Sequence, residues 1–247
     1  MTSNNPSRKL LGGNMYNQIN QNLIKCHNLF YGGSILEEKY LSTGNESLDE
    51  MLKGGYKKGS LTEISGATNT GKTLLALKAI KESQKENKIA IFIDTSRKFN
   101  PRYLKDNIID EDGVFLIQPE YAEELGILIS EIVKPNIEDI GLIIIDDLAN
   151  LVTKFEKNSD MNKNTDIHKS KVIKALLTRI SNLVRNTETC AIILNQNRSN
   201  FLQDGSIIEI SSFERWVEMS CDTRLKLSLD EDGDICADVK FKERKFR

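Results

Sequence analysis

A chain of 247 residues with 39% hydrophobic and 28% charged residues has the composition of a globular protein able to bury a core, as one large domain or two small ones. A formal net charge of −2 excludes a global basic field, so any nucleic-acid contact must come from a local patch. No apolar run approaches the ~18 residues of a membrane span, which argues against a membrane partner. The polar N-terminus has no signal-peptide character, and the scattered Cys26, Cys190, Cys221 and Cys236 form no C-x-x-C pair, which fits reduced thiols in a cytoplasmic protein.

Residues 1–14 are polar and rich in Gly and Asn, the composition of a disordered tail. Between Tyr16 and Phe30 the apolar positions Ile19, Leu23, Ile24 and Phe30 fall at near-helical spacing, which predicts a short amphipathic helix within residues 15–36. Gly32-Gly33 sets that helix apart, so it packs either on its own domain or on a neighbouring subunit. Residues 37–247 then form the core. Ser47-Leu48-Asp49 opens a short helix that Gly54-Gly55 closes.

Ser60 to Ala79 is the stretch with the clearest chemistry. A short strand through Leu61 and Ile64 ends in Gly66-Ala67-Thr68-Asn69-Thr70-Gly71-Lys72-Thr73, and a helical pattern begins at Leu74. This is G-x-x-x-x-G-K-[ST] between a strand and a helix, the context a P-loop requires. Gly66 and Gly71 let the backbone turn so that N–H groups and the helix N-terminus face phosphate oxygens. Lys72 reaches the β- and γ-phosphates, and the Thr73 hydroxyl ligates Mg²⁺. ATP with Mg²⁺ is the expected ligand.

Ile89 to Asp94 is a continuous apolar run, as for a strand buried on both faces of a parallel sheet. Val114–Ile117 is a third strand and Ala122–Val133 an amphipathic helix. Gly141 to Asp147 is a fourth strand ending in two carboxylates. Downstream of a P-loop it reads as a Walker B element, with Asp146 in the Mg²⁺ shell through water. Val172–Val184 is helical, and Cys190 to Gln196 is a buried strand ending in two amides. Arg198–Glu214 reads as a mobile loop, with Trp216 packed under it or at a subunit contact. Arg224–Leu229 and Ile235–Phe241 alternate around Asp230–Asp234 as a terminal hairpin. The fold class is α/β, with a mainly parallel central sheet flanked by helices and a C-terminal antiparallel hairpin.

Several segments together resemble the RecA recombinase family over roughly residues 15 to 247. Phe30-Tyr31-Gly32-Gly33-Ser34-Ile35 resembles the end of the family's N-terminal oligomerisation helix. Leu41-Ser42-Thr43-Gly44 with Ser47-Leu48-Asp49 resembles the lead-in to its P-loop, and Ile117-Gln118-Pro119-Glu120 its "sQPd" stretch. Phe92-Ile93-Asp94 followed by Asn100-Pro101 and Tyr103 resembles the segment whose tyrosine stacks on adenine, which makes Asn100 and Tyr103 base-binding candidates. Asn195-Gln196 with Arg198 resembles the strand end where the Gln senses γ-phosphate and relays that state to a DNA-binding loop. The family's two such loops fall at Lys157–Asp166 and Ser199–Phe213, with Arg198, Ser199 and Phe201 as DNA-binding candidates.

The resemblance implies a RecA-like ATPase core that binds ATP at subunit interfaces and acts on DNA in recombination and repair. Single-stranded DNA is the expected substrate, with double strands also open. Self-association into an oligomer or filament, or assembly with a full-length recombinase, is implied too. Ser96 stands where the family has its catalytic Glu, and a serine cannot take up a proton as a carboxylate does. Asp147 is the carboxylate in line to replace it. Ser211-Ser212 replaces the paired glycines of the second loop, the resemblance sets Lys242 or Lys245 against lysines that reach a neighbour's nucleotide, and the expectation is of a RecA-like protein lacking the family's separate C-terminal domain. Two alternatives stay open: a non-hydrolysing paralog serving as a recombination mediator, and a signalling ATPase of the circadian-clock KaiC kind, which Gly59 to Leu77 also resembles.

Overall fold

The computed structural model describes residues 38–120, 122–148, 150, 165–201 and 207–242. The tail and helix expected within residues 1–36, most of the first loop, and Lys245 lie outside them. In chain order the elements are β1 (Tyr40–Leu41), α1 (Glu46–Met51), β2 (Tyr56–Lys57), β3 (Leu61–Gly66), α2 (Lys72–Lys85), β4 (Ile89–Asp94), α3 (Arg102–Asp106) and β5 (Val114–Ile117). They continue with α4 (Ala122–Leu128), β6 (Ile140–Asp146), α5 (Thr165–Val184), β7 (Cys190–Phe201), β8 (Ile207–Ser211), α6 (Glu214–Ser220), β9 (Thr223–Leu229) and β10 (Ile235–Phe241).

An eight-stranded sheet has the order β10-β9-β3-β7-β6-β4-β5, with β8 paired to β7 off that path. The pairs from β9 through β3, β7, β6 and β4 to β5 are parallel, while β9–β10 and β7–β8 are antiparallel. The α/β class, the parallel core and the C-terminal hairpin are therefore as the sequence patterning predicts. A parallel sheet needs apolar cover on both faces. Ile91, Ile93, Ile143, Ile145 and Ile193 bury one face under Leu125, Ile173, Leu177, Ile180 and Val217 of α4, α5 and α6. Phe92, Leu142, Ile144, Ile192 and Leu194 bury the other against Ala76, Leu77 and Ile80 of α2. Cys190 and Cys221 are buried in this core and Cys236 is exposed, all as free thiols.

Three elements differ from their sequence patterns. The segment expected as a mobile loop is instead a β-hairpin at its ends: β7 runs 12 residues to Phe201, and Asn197 to Phe201 pair antiparallel with Ser211 to Ile207. The β-branched Ile207, Ile208 and Ile210 favour that extended state. The helix expected over Ala122–Val133 is α-helical only to Leu128 and continues as a π-turn over Ile129–Val133, before Pro135. The helix expected from Val172 begins at Thr165. Among the described residues no helix is long and apolar enough to cross a membrane.

Candidate functional site

Parallel strands deliver their C-terminal ends to one edge, and β3, β4, β6 and β7 bring Gly66, Asp94, Asp146 and Gln196 there. The loop after β3 is shaped by its glycines. A Cβ at Gly66 would lie 2.6 Å from the Leu227 carbonyl oxygen, and Gly71 has φ of 87°. Gly71 supplies no capping side chain to α2, so the first-turn N–H groups remain available to an anion. The Lys72 ammonium folds back to donate to the carbonyls of Gly66 (2.9 Å) and Ala67 (2.5 Å), and Thr70 Oγ1 donates to Ala67 O (2.9 Å). Burial lowers the Lys72 pKa, partly offset by the charges of Asp146 and Asp147.

Thr73 Oγ1 donates to Asp146 Oδ2 across 3.4 Å, which places the two expected Mg²⁺-shell residues side by side. Burial, followed by the charges of Asp147 and Asp94, pushes the Asp146 carboxyl up to about 6, with Thr73 and Lys72 acting against it. A carboxylate so crowded is relieved by a cation, so the donor set fits a hard divalent ion held by hydroxyl and carboxylate oxygen. Asp147 is buried, and its carboxylate accepts from the Asn150 N–H (2.7 Å) and Nδ2 (3.0 Å). Ser96 does not face the cleft as a base would: its hydroxyl donates to Asp94 Oδ1.

A cleft of about 510 Å³ is lined by Thr68, Asn69, Gly71, Lys72, Thr73, Leu74, Leu77, Tyr103, Asn107, Asp146, Asp147 and Gln196. Five of the eight motif residues (Thr68, Asn69, Gly71, Lys72 and Thr73), the aromatic candidate, Asp146, Asp147 and the Gln196 amide within β7 thus share one cavity, while Gly66, Ala67 and Thr70 do not line it. Tyr103 is 45% exposed and meets Phe99 edge-on at 6.0 Å, leaving ring surface free for a base. Asn100 does not line the cleft; its Oδ1 accepts from Arg102 N (3.0 Å) and so holds the start of the helix carrying Tyr103. Asn107, whose Nδ2 donates to Tyr103 O, lines the cleft without any motif to mark it. Arg198, Ser199 and Phe201 lie on β7 beyond Gln196, paired with Ile210, Glu209 and Ile207.

Gln196 links cleft to hairpin. Its carbonyl accepts from Ser212 N (3.1 Å) and Ser212 Oγ (3.3 Å), which ties the two hairpin strands at their base. A second groove, of about 680 Å³, lies between the π-turn and α5 and is lined by Lys134, Lys171, Lys174, Arg179, Thr178 and Asn182 among others. Among the described residues no acidic side chain lines it. Three of its cations, Lys171, Lys174 and Arg179, lie along α5 at spacings that share a helix face, a signal the chain itself carries, while Lys134 reaches the groove only through the placement of a separate element. Lys174 lies over the Trp216 ring at 5.2 Å, and Trp216 packs against the core. Lys242 donates to Met219 O (2.5 Å) at the end of α6.

The family model of the RecA N-terminal domain matches residues 16–206. Protein RecA of Mesoplasma florum is 33% identical over 167 residues, covering 67% of this chain and 50% of that protein. Protein RecA of Aquifex pyrophilus is 32% identical over 164 residues, covering 66% and 47%. Protein RecA of Rippkaea orientalis is 30% identical over 197 residues, covering 79% and 56%. The chain spans about half the length of the curated relatives it matches.

Proposed function

The chain belongs to the RecA family, and from that premise we propose that it is an ATP-dependent DNA-binding protein acting in homologous recombination and DNA repair. The observation that carries the reading is Gln196, which lines the nucleotide cleft while its carbonyl anchors the hairpin bearing Arg198, Ser199 and Phe201. Gly66 to Thr73 would hold the phosphates through N–H groups and Lys72, and Tyr103 would stack on the base, with Leu74 beside it. Thr73 and, through water, Asp146 would hold Mg²⁺, which neutralises phosphate charge when bound. Arrival of a γ-phosphate at Gln196 would then bias the hairpin towards the strand-binding state.

The cationic groove supports a DNA role, because Lys134, Lys171, Lys174 and Arg179 supply the local positive field that a net charge of −2 denies the chain as a whole. Single-stranded DNA is the reading we favour, because the groove supplies cations for backbone phosphates and the hairpin carries Phe201 as a platform for a base, with double strands the alternative. Self-association, or assembly with a full-length recombinase, is supported by the edge strand β5, on which Phe115 is 56% exposed and Leu116 37%.

A second reading, a mediator that binds ATP without turning it over, is favoured by Ser96 being spent on Asp94 and by Asn150 occupying the Asp147 carboxylate. Nucleotide binding alone can stabilise an assembled state. The deciding experiment is ATP turnover with and without single-stranded DNA, beside Lys72→Ala and Asp147→Asn. DNA-stimulated turnover lost in both variants supports the working ATPase with Asp147 as its base. Nucleotide binding without turnover supports the mediator, and nucleotide binding indifferent to DNA would leave a signalling ATPase.

A further inference from the structure

Asn195 ends the buried part of β7 and Gln196 is the first exposed residue after it, the two paired with Ser65 and Gly66 of the P-loop strand. Asn195 is fully buried; its Nδ2 donates to Glu63 Oε1 (2.9 Å) and Ser212 O (2.8 Å), while its Oδ1 has no partner. The Glu63 side chain is 0% exposed, and its Oε2 accepts from Arg224 Nε (2.7 Å). The other edge of the same guanidinium donates to both Glu214 oxygens (2.7 and 2.8 Å) and to Ser211 Oγ (3.1 Å). Ser212 returns the path to the Gln196 carbonyl. One chain of polar contacts thus joins the P-loop strand, the cleft amide, the base of the hairpin and the first turn of α6.

A buried carboxylate is tolerated only with a partner, so Glu63 pins Arg224, and the planar five-donor fork then fixes where Glu214 and Ser211 must sit. We propose that Arg224 and Glu214 are positioning residues: they clamp α6 and the hairpin base to the P-loop strand, so that a shift of Gln196 on nucleotide binding is delivered to α6. This rests on the nucleotide-binding reading of the cleft.

The protein carries its own reporter. Its single tryptophan, Trp216, lies on α6 two residues beyond Glu214, with the Lys174 and Arg215 cations each 5.2 Å from its ring. The experiment measures binding of a non-hydrolysable ATP analogue with Mg²⁺ by calorimetry and, in parallel, Trp216 emission, on the full chain. Wild type is expected to bind and to change emission saturably. Glu214→Gln, which leaves the Glu63–Arg224 pair in place, is expected to bind within about twofold of wild type while losing most of the emission change. The double variant Glu63→Gln/Arg224→Met removes the pair without leaving a buried charge alone, and should behave likewise. Arg224→Lys, which can serve Glu63 but not both Glu214 oxygens, should restore only part of the response. Binding in wild type without an emission change, or a full change in Glu214→Gln and in the double variant, overturns the clamp while leaving the nucleotide site intact. Absence of binding in wild type overturns both.

Discussion

Ser96 Oγ donates to Asp94 Oδ1 at 2.8 Å, and this contact is one of four that converge on a single buried carboxylate. Arg97 N reaches the same oxygen at 2.8 Å, while Phe99 N and Gln118 Nε2 each reach Oδ2 at 2.9 Å. Burial would raise the Asp94 pKa, but these donors, Phe99 N–H foremost, hold it below the ordinary carboxylate range. The serine is a strut in the turn that leads to Tyr103.

Asp94→Ala leaves those donors facing an apolar gap, each costing about 1–3 kcal/mol when unmet. Because the losses are shared, the expected destabilisation is roughly 3–5 kcal/mol, measured by denaturant unfolding. Ser96→Ala removes one neutral donor and should cost only about 1 kcal/mol. Equal effects from the two variants would mean that Asp94 does not organise the turn.

On the mediator reading, in which Asn150 holds the Asp147 carboxylate, Asp147→Asn leaves any ATP turnover within about threefold, whereas a general base lost outright costs about 10²–10⁴. Its effect should fall on stability instead, by about 1–2 kcal/mol, since an amide cannot accept from both Asn150 donors. Steady-state turnover and thermal unfolding of one preparation separate the two. A hundredfold fall in turnover would make Asp147 the base after all.

Glu214 gives the pH dependence a definite sign. The Arg224 hydrogen bonds hold its carboxyl below the usual value of 4.5. A depressed folded-state pKa contributes stability that is fully present above the unfolded value and is lost as pH falls through the folded one. Acid unfolding of wild type should therefore contain a component lost below about pH 4.5 that Glu214→Gln lacks. Superimposable pH–stability curves would show that the ion pair does not form in solution.

Lys171→Ala/Lys174→Ala tests the cationic groove. If the groove meets DNA phosphates, the double variant should weaken single-strand binding and flatten the dependence of log K on log salt by about 1.4, at ~0.7 per phosphate contact. Fluorescence anisotropy across a salt series reads both quantities. An unchanged slope with unchanged affinity would remove the groove from the interface.

Local pattern accounts for the parts of the site that were legible in the chain. Gly66 to Thr73 lies between a strand and a helix, and the apolar run of β6 ends in Asp146, so both the phosphate cradle and its acidic neighbour follow from residue order. Asn107 and Lys134 carried no such mark, because each reaches its cavity through the placement of a separate element. The pairing of Asn197–Phe201 with Ile207–Ser211 leaves no local mark, since the polar first strand lacks the alternation that announces an edge.

By itself, then, the sequence determined the α/β class, the phosphate-binding turn and the residues that flank it, because those depend on backbone geometry and hydrophobic period over short spans. Two of the carboxylates are met locally, Asp94 by Ser96 and Asp147 by Asn150, two and three positions away. The tertiary structure alone decided that Arg224 meets Glu63 across 161 positions of chain. The last pairing exists only because parallel strands set β3 beside β9, and no local pattern encodes a contact made by sheet order.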